Sequence, residues 1–333
     1  MSVATAPVTR RPASAGSALR VVHERYGHLV YPLVAIAGLV IWFSITTSAF
    51  LTVDNLWNVG RQSSVLLLVA LAGTMVILIG SIDLSVGANV TLTGIICAML
   101  INSHGPIEAL VVALLVGIAV GAVNGLLLLV LKIPSFLVTL GMLSVLTGLA
   151  TALAHSSPVP FADMGLPNFV NGDGIIGIPN IILLTLAVLT ALTVVSFKTR
   201  FGRYLFAIGG GEPVAAVSGV SVGRYKVAAF VCSGVLCALA GSLLAAQVGA
   251  GTLDSGSSLL LDSIAAVVMG GTALSGGVGG PHRTLLGVLV IAILSNGMDI
   301  IGYQEFTQQI VKGSVIIAAV ALSIDRKKYT FIK

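Results

Sequence analysis

The sequence predicts an all-α, polytopic membrane protein of about ten transmembrane helices, some of them short or broken. Three observations lead there. Of 333 residues, 56% are hydrophobic and only 9% are charged, against roughly 25% charged in an ordinary soluble domain. Several apolar stretches reach the ~18–20 residues that cross the hydrocarbon of a bilayer, and the mean hydropathy is +1.07. The runs of Leu, Val, Ile, Ala and Gly do not alternate with polar residues, unlike the ~10-residue segments of a membrane barrel.

Ten apolar segments can be marked, at about 30–50, 62–80, 85–101, 108–131, 136–153, 178–197, 227–248, 262–275, 284–301 and 307–324. Those at 85–101 and 262–275 are short for full spans and read as broken or re-entrant helices, tolerated where protein shields them from lipid. Before the first lies a polar tail, residues 1–27. "TTSAFLTVDNLW" offers no small-residue cleavage site, so the first helix is expected to be retained. The membrane domain is expected over 28–326, followed by a second tail, 327–333. An even number of crossings puts both ends on one side. All 17 basic residues except Arg61 and Lys312 then fall on one face, while Asp54, Glu108, Asp163, Asp173, Asp254 and Glu305 collect on the other. By the positive-inside rule both termini are cytoplasmic. That asymmetry explains the net charge of +5 without a nucleic-acid partner.

Two connections are long. The outer one, about 154–177, is rich in Pro, Gly, Asn and Asp. The inner one, about 198–226, is expected to present one short helix: Glu212 suits the positive helix N-terminus, Pro213 the first turn and Gly219 the exit. Val76–Gly87 and Ala266–Gly277 echo one another at an offset of 190. Both duplicated halves and chance likeness among glycine-rich segments remain open.

Enzyme chemistry finds no support. No G-x-x-x-x-G-K-[ST] loop occurs to hold nucleotide phosphates, and no H-E-x-x-H, G-x-S-x-G or Cys/His ligand cluster is present. Neither a cofactor nor a metal is expected. Cys97, Cys232 and Cys237 read as small buried hydrophobes, and the histidines lie near segment ends. Gly117, Gly121 and Gly125 share one helix face, which permits close approach of a neighbouring backbone. Asp83, Asp262 and Asp299 are the sharper signals, because a charge at mid-bilayer costs at least ~2.5–3.5 kcal/mol. Two readings compete: coupling carboxylates of an ion-driven carrier, or helix caps. Capping is preferred for Asp83, with Ser85, between the helix-breaking Gly80 and Gly87, and for Asp262; Asp299 sits near an outer end in solvent. No acid has an evident mid-helix basic partner. Asn89, Thr93, Asn124, Gln247 and Asn296 are candidate linings of a translocation path, each with a helix–helix hydrogen bond as the alternative.

Four blocks, in order, resemble one family. "GSIDLSVGANVTLTG", "KIPSFLVTLGML", "TRFGRYLFAIGGGEPVAAVSGVSVGRYK" and "LDSIAAVVMGGTALSGGVGG" are similar to segments of ribose-type permeases of the branched-chain amino acid/ribose superfamily, the membrane subunits of ATP-binding-cassette importers for monosaccharides. The likeness covers roughly residues 30–328. It implies a type II importer-like permease fold and a transport subunit that is not itself an ATPase. It also implies partners: ABC ATPase subunits, a second permease copy in a homo- or heterodimer, and a periplasmic or lipid-anchored sugar-binding protein. Gly209, Gly210, Glu212, Pro213, Ala216 and Gly219 would form the segment that couples to the ATPase. Two departures stand out: Gly211 replaces the family's usual Asn, and "GGPHRT" replaces a more typical turn. The implied cargo is a monosaccharide or related polyol. Another small solute carried by the same machinery (a branched-chain amino acid, nucleoside or quorum-signal sugar) and an ion-coupled carrier are the alternatives.

Overall fold

A computed structural model describes residues 15–174 and 177–323; the expected tail 327–333 and residues 1–14 of the other lie outside the described residues. The chain runs α1 (Ala15–Thr46), α2 (Val53–Leu78), α3 (Val86–His104), α4 (Pro106–Leu131), α5 (Ser135–Leu153), β1 (Val159–Pro160), α6 (Gly165–Asn171) and α7 (Asn180–Lys198). It continues α8 (Arg200–Gly210), α9 (Glu212–Val217), α10 (Val222–Val248), β2 (Ala250–Gly251), α11 (Ser257–Met269), α12 (Pro281–Ile301) and α13 (Glu305–Ser323). Each of the ten apolar segments coincides with a helix. Among the described residues, eight helices, α1–α5, α7, α10 and α12, are long and apolar enough to cross a membrane. The short segment expected at 85–101 is in fact the 19-residue α3, because Asn102 to His104 extend it. The one at 262–275 begins earlier and remains short, as the 13-residue α11.

The centre of the bundle is α2, whose stretch Ser63–Ala72 is buried on every side, as an almost wholly apolar helix segment can be. It packs on α10, and α10 packs on α3 and α4. Close approach there follows from the glycine stripe. A Cβ on Gly117, Gly121 or Gly125 would overlap α10 backbone at Gly234, Phe230 and Val227 respectively. Gly94 and Gly241 repeat this between α3 and α10. By contrast α4, α5 and α7 leave most of their apolar surface outward, as helices facing lipid do.

The packing has an internal symmetry at an offset other than 190. Helix α10 lies against α3 and α4 as α2 lies against α11 and α12, and α3 meets α4 and α5 as α11 meets α12 and α13. The repeat is thus α2–α5 with α10–α13, and alternating crossings give the two units opposite senses, the inverted arrangement of many transporters. The turn Gly80–Gly87 then corresponds to Gly249–Gly256. Gly80 and Gly249 are both left-handed, at φ 71° and 79°. Leu84 matches Leu253, and Gly87 abuts Gly256 so closely that a Cβ on either would strike the other's carbonyl. The two stretches Val76–Gly87 and Ala266–Gly277 end in similar turns, but one residue out of step with their echo: at the offset of 190 Gly80 pairs with Gly270, which is right-handed at φ −69°, and not with Gly271. Both helices end on a left-handed glycine, Gly80 or Gly271. The next amide bonds the carbonyl five residues back in each: Ser81 to Val76 and Thr272 to Val267, both at 3.2 Å.

Both long connections hold more structure than their composition suggests. In the outer one, β1 pairs antiparallel with β2 and α6 packs beneath. The inner one holds two helices rather than one. The first, α8, buries Leu205 and Ile208 on one face while Arg200 and Arg203 keep its other side polar.

Candidate functional site

Two features organise the end of the bundle that carries α9. The first is the short helix itself. Gly211 precedes it, Glu212 and Pro213 form its first turn, and Ser218 and Gly219 (φ 83°) close it, with the Val220 amide donating to the Ala215 carbonyl at 3.1 Å. Only Ala215 is buried; Glu212, Pro213 and Ala216 are exposed, and Val214 and Val217 stand 70% and 88% exposed. Lys226 Nζ donates to Glu212 Oε2 at 2.6 Å, tying α9 to the start of α10. Gly209 and Gly210 lie elsewhere, at the end of α8. A Cβ on Gly209 would collide with the Leu78 carbonyl and the Gly277 amide, and one on Gly277 with Gly210. Gly276 approaches Gly80 in the same way. Three backbone segments, 78–80, 209–210 and 276–277, therefore meet without intervening side chains, and the Gly277 amide donates to the Leu78 carbonyl at 3.0 Å.

The second feature is the turn at 79–85, an irregular backbone inside the bundle whose polar groups need partners. Helix α5 supplies two of them. Ser135 Oγ accepts from the Ile82 amide and Thr139 Oγ1 from the Leu84 amide, both at 3.0 Å. Asp83 is 8% exposed. Its Oδ1 accepts from the Ser85 amide at 2.9 Å and from Ser85 Oγ at 2.6 Å, and Oδ2 accepts from Ser233 Oγ of α10 at 3.0 Å. Since the Ser85 hydroxyl hydrogen goes to Asp83, its oxygen is left to accept from Asn124 Nδ2 of α4, at 2.9 Å. The capping expectation changes in detail. Ser85 caps no amide of α3 with its side chain, and Asp83 captures only the Ser85 amide, because its second oxygen is drawn to Ser233. The carboxylate joins the start of α3 to α10 directly, and α4 through Ser85.

The five candidate path residues are not brought together. Asn296 and Asn55 exchange two amide hydrogen bonds, at 3.0 and 2.9 Å, buried between α12 and α2. Thr93 is fully buried and donates to the Asn89 carbonyl at 2.6 Å. Asn89 is buried with its Oδ1 unpaired, as is Asn124 Oδ1. Gln247 lines an open cleft, between α10, α2 and α11. The expectation for Asp262 is corrected outright. It lies within α11, not at its start, since the helix begins at Ser257. It also has a basic partner after all: Lys312 Nζ of α13 donates to Asp262 Oδ2 at 2.9 Å. Two intramembrane charges of opposite sign were the available signal, but their pairing across 50 residues depends on how α11 meets α13. Asp299 is exposed and accepts from Gln308 Nε2 at 2.7 Å.

The model of the family described as "Branched-chain amino acid transport system / permease component" matches residues 55–320. The chain belongs to this permease family. Among its relatives, the probable ABC transporter permease protein YphD of Escherichia coli (strain K12) is 36% identical over 97% of both chains. The ribose import permease protein RbsC of Bacillus subtilis (strain 168) is 39% identical over 89% of this chain and 92% of its own. The galactose/methyl galactoside import permease protein MglC of Escherichia coli (strain K12) is 35% identical over 84% and 88%. No solved structure matches. As an ABC transporter permease, the protein is a multi-pass inner-membrane component, and its eight long apolar helices agree with that placement.

Proposed function

We propose that this permease is the translocating subunit of an importer for a monosaccharide or related polyol. A separate subunit hydrolyses ATP, a second permease copy completes the pathway, and a periplasmic or lipid-anchored binding protein delivers the cargo. The observation that carries the sugar is the naming of its relatives, which import ribose, galactose or methyl galactoside, and transport D-allose. Helix α9 is the docking element for the ATPase. Its exposed Val214 and Val217 offer an apolar contact of the kind that marks a protein interface. The meeting of 209–210 with 78–80 and 276–277 gives a rigid route from that helix into the bundle, so that rocking α9 moves the Asp83 turn. The family description itself favours one second reading, a branched-chain amino acid as cargo. Proteoliposomes holding the permease, its ATPase and its binding protein, assayed with D-ribose, D-galactose, D-allose and L-leucine, separate the two. ATP-dependent uptake of a sugar is expected; uptake of L-leucine alone, or uptake driven by a proton gradient without ATPase, overturns the proposal. Glu212→Arg combined with Gly219→Leu is expected to lower ATPase association by at least about tenfold while membrane insertion persists, and unchanged co-purification would refute the docking role.

A further inference from the structure

Toward the end of the bundle opposite α9, helices α2, α10, α11, α12 and α13 leave a cleft of about 250 Å³. Leucine and valine side chains wall it, but its polar content is unusual for a membrane interior. Gln62, Gln247, Ser258 and Ser295 line it together with the Asp262–Lys312 pair. Among the described residues, none of the side chains of Gln62, Gln247, Ser258 and Ser295 makes a hydrogen bond, and Asp262 uses one oxygen only. The Asn55–Asn296 pair, by contrast, closes on itself. Uncommitted polar groups from four helices converging on one opening are a recognition surface.

We propose that this cleft is a membrane-embedded station for one molecule of a neutral polyhydroxylated solute, a monosaccharide or polyol; the inference rests on the permease reading above and places its cargo. The donor set matches that chemistry. Each sugar hydroxyl both donates and accepts, so it pairs equally with an acceptor-only carboxylate, a donor-only ammonium, and amides or hydroxyls that do both. Asp262 and Lys312 neutralise one another at 2.9 Å, so the site has no net charge to attract an ion. A zwitterionic amino acid would have to break that part-buried pair to reach both charges. A neutral hydroxyl bonds the free carboxylate oxygen and the remaining ammonium hydrogens without disturbing it. Among the described residues no aromatic ring lines the cleft, so hydrogen bonds act without a stacking platform. Such a site holds its ligand loosely, which suits a step on a path that must also release it.

The test uses the assembled transporter. Ser258→Cys places a thiol at the mouth of the cleft, while the native cysteines are buried or half-buried. Labelling by a small methanethiosulfonate is expected to slow about threefold or more under saturating D-ribose, D-galactose or D-allose, and not under L-leucine. Ser295→Leu fills the cleft while leaving the ion pair in place; it is expected to abolish that protection and to lower sugar uptake about tenfold. Should Ser295→Leu fail to assemble, Gln247→Ala removes one partner without adding bulk and is expected to raise the uptake KM severalfold. Wild-type sugar uptake, with no protection by any sugar and unaltered uptake by the variants, overturns the station and leaves the permease reading standing. Protection by L-leucine alone overturns the ligand class. Absence of sugar uptake by the wild type is the failure of the permease reading itself.

Discussion

At Asp83, three hydrogen bonds from serine groups meet one buried carboxylate, and each donor has its own position in the fold. The Ser85 amide and hydroxyl come from the same turn, whereas Ser233 reaches in from 150 residues away. An asparagine keeps this geometry: its carbonyl oxygen can still accept from Ser85, and its amide can donate to the Ser233 oxygen instead. Asp83→Asn is therefore expected to retain thermal stability in detergent and most transport, as a structural carboxylate should. A proton-carrying residue would lose transport in the same variant. Asp83→Leu instead strands buried donors, each worth about 1–3 kcal/mol, and is expected to lower the melting temperature sharply. The sequence made this residue conspicuous, as a carboxylate in an apolar tract. Its partners were legible only in part: Ser85 lies two residues on, but nothing in the chain marks Ser233 or Asn124.

Helices α4 and α10 stay together because side chains are missing where their backbones touch. Gly121 sits against the Phe230 carbonyl and the Val231 Cα, neither of which can give way. Gly141 on α5 has nothing within 4 Å of the position its Cβ would take. Gly121→Ala is expected to destabilise the bundle by at least about 1–3 kcal/mol, the usual result of overpacking. Gly141→Ala should be neutral or mildly stabilising, since alanine favours a helix by ~1 kcal/mol over glycine. Equal effects of the two changes in thermal unfolding would show that glycine count, not contact, sets stability. The spacing of Gly117, Gly121 and Gly125 already announced a packing face. Which helix it meets was not written there, because the complementary Gly234 belongs to a helix far along the chain. For α8 the signal was present as buried positions at helical spacing, but its glycines and arginines gave the stretch the composition of a loop.

At the scale of the molecule, α9 and the outer connection occupy opposite ends of the bundle. The charge asymmetry predicts that the first faces the cytoplasm. Ser218→Cys, exposed beside α9, should label with an impermeant thiol reagent only from the cytoplasmic side. Ser156→Cys, exposed after α5, should label only from the other. The reverse pattern would invert the topology. Exposed apolar faces on α4, α5 and α7 are what helices facing lipid present, so their outward leucines and valines need no partner within the chain.

Composition and hydropathy by themselves determined that this chain is a helical membrane protein, and marked the ten apolar segments that became helices. Those properties are local: a run of apolar residues must bury its own backbone bonds wherever it sits in lipid. The glycine-flanked helix starts and the end signals of α9 were legible for the same reason. Tertiary structure alone decided what the isolated polar groups do. It joined Asp83 to Ser233, closed Asn296 on Asn55, and brought Lys312 to Asp262. It also gave α2–α5 and α10–α13 matching contact patterns. A buried polar group takes its meaning from the donor or acceptor placed against it, and that placement follows from which helices pack together, not from neighbours in the sequence.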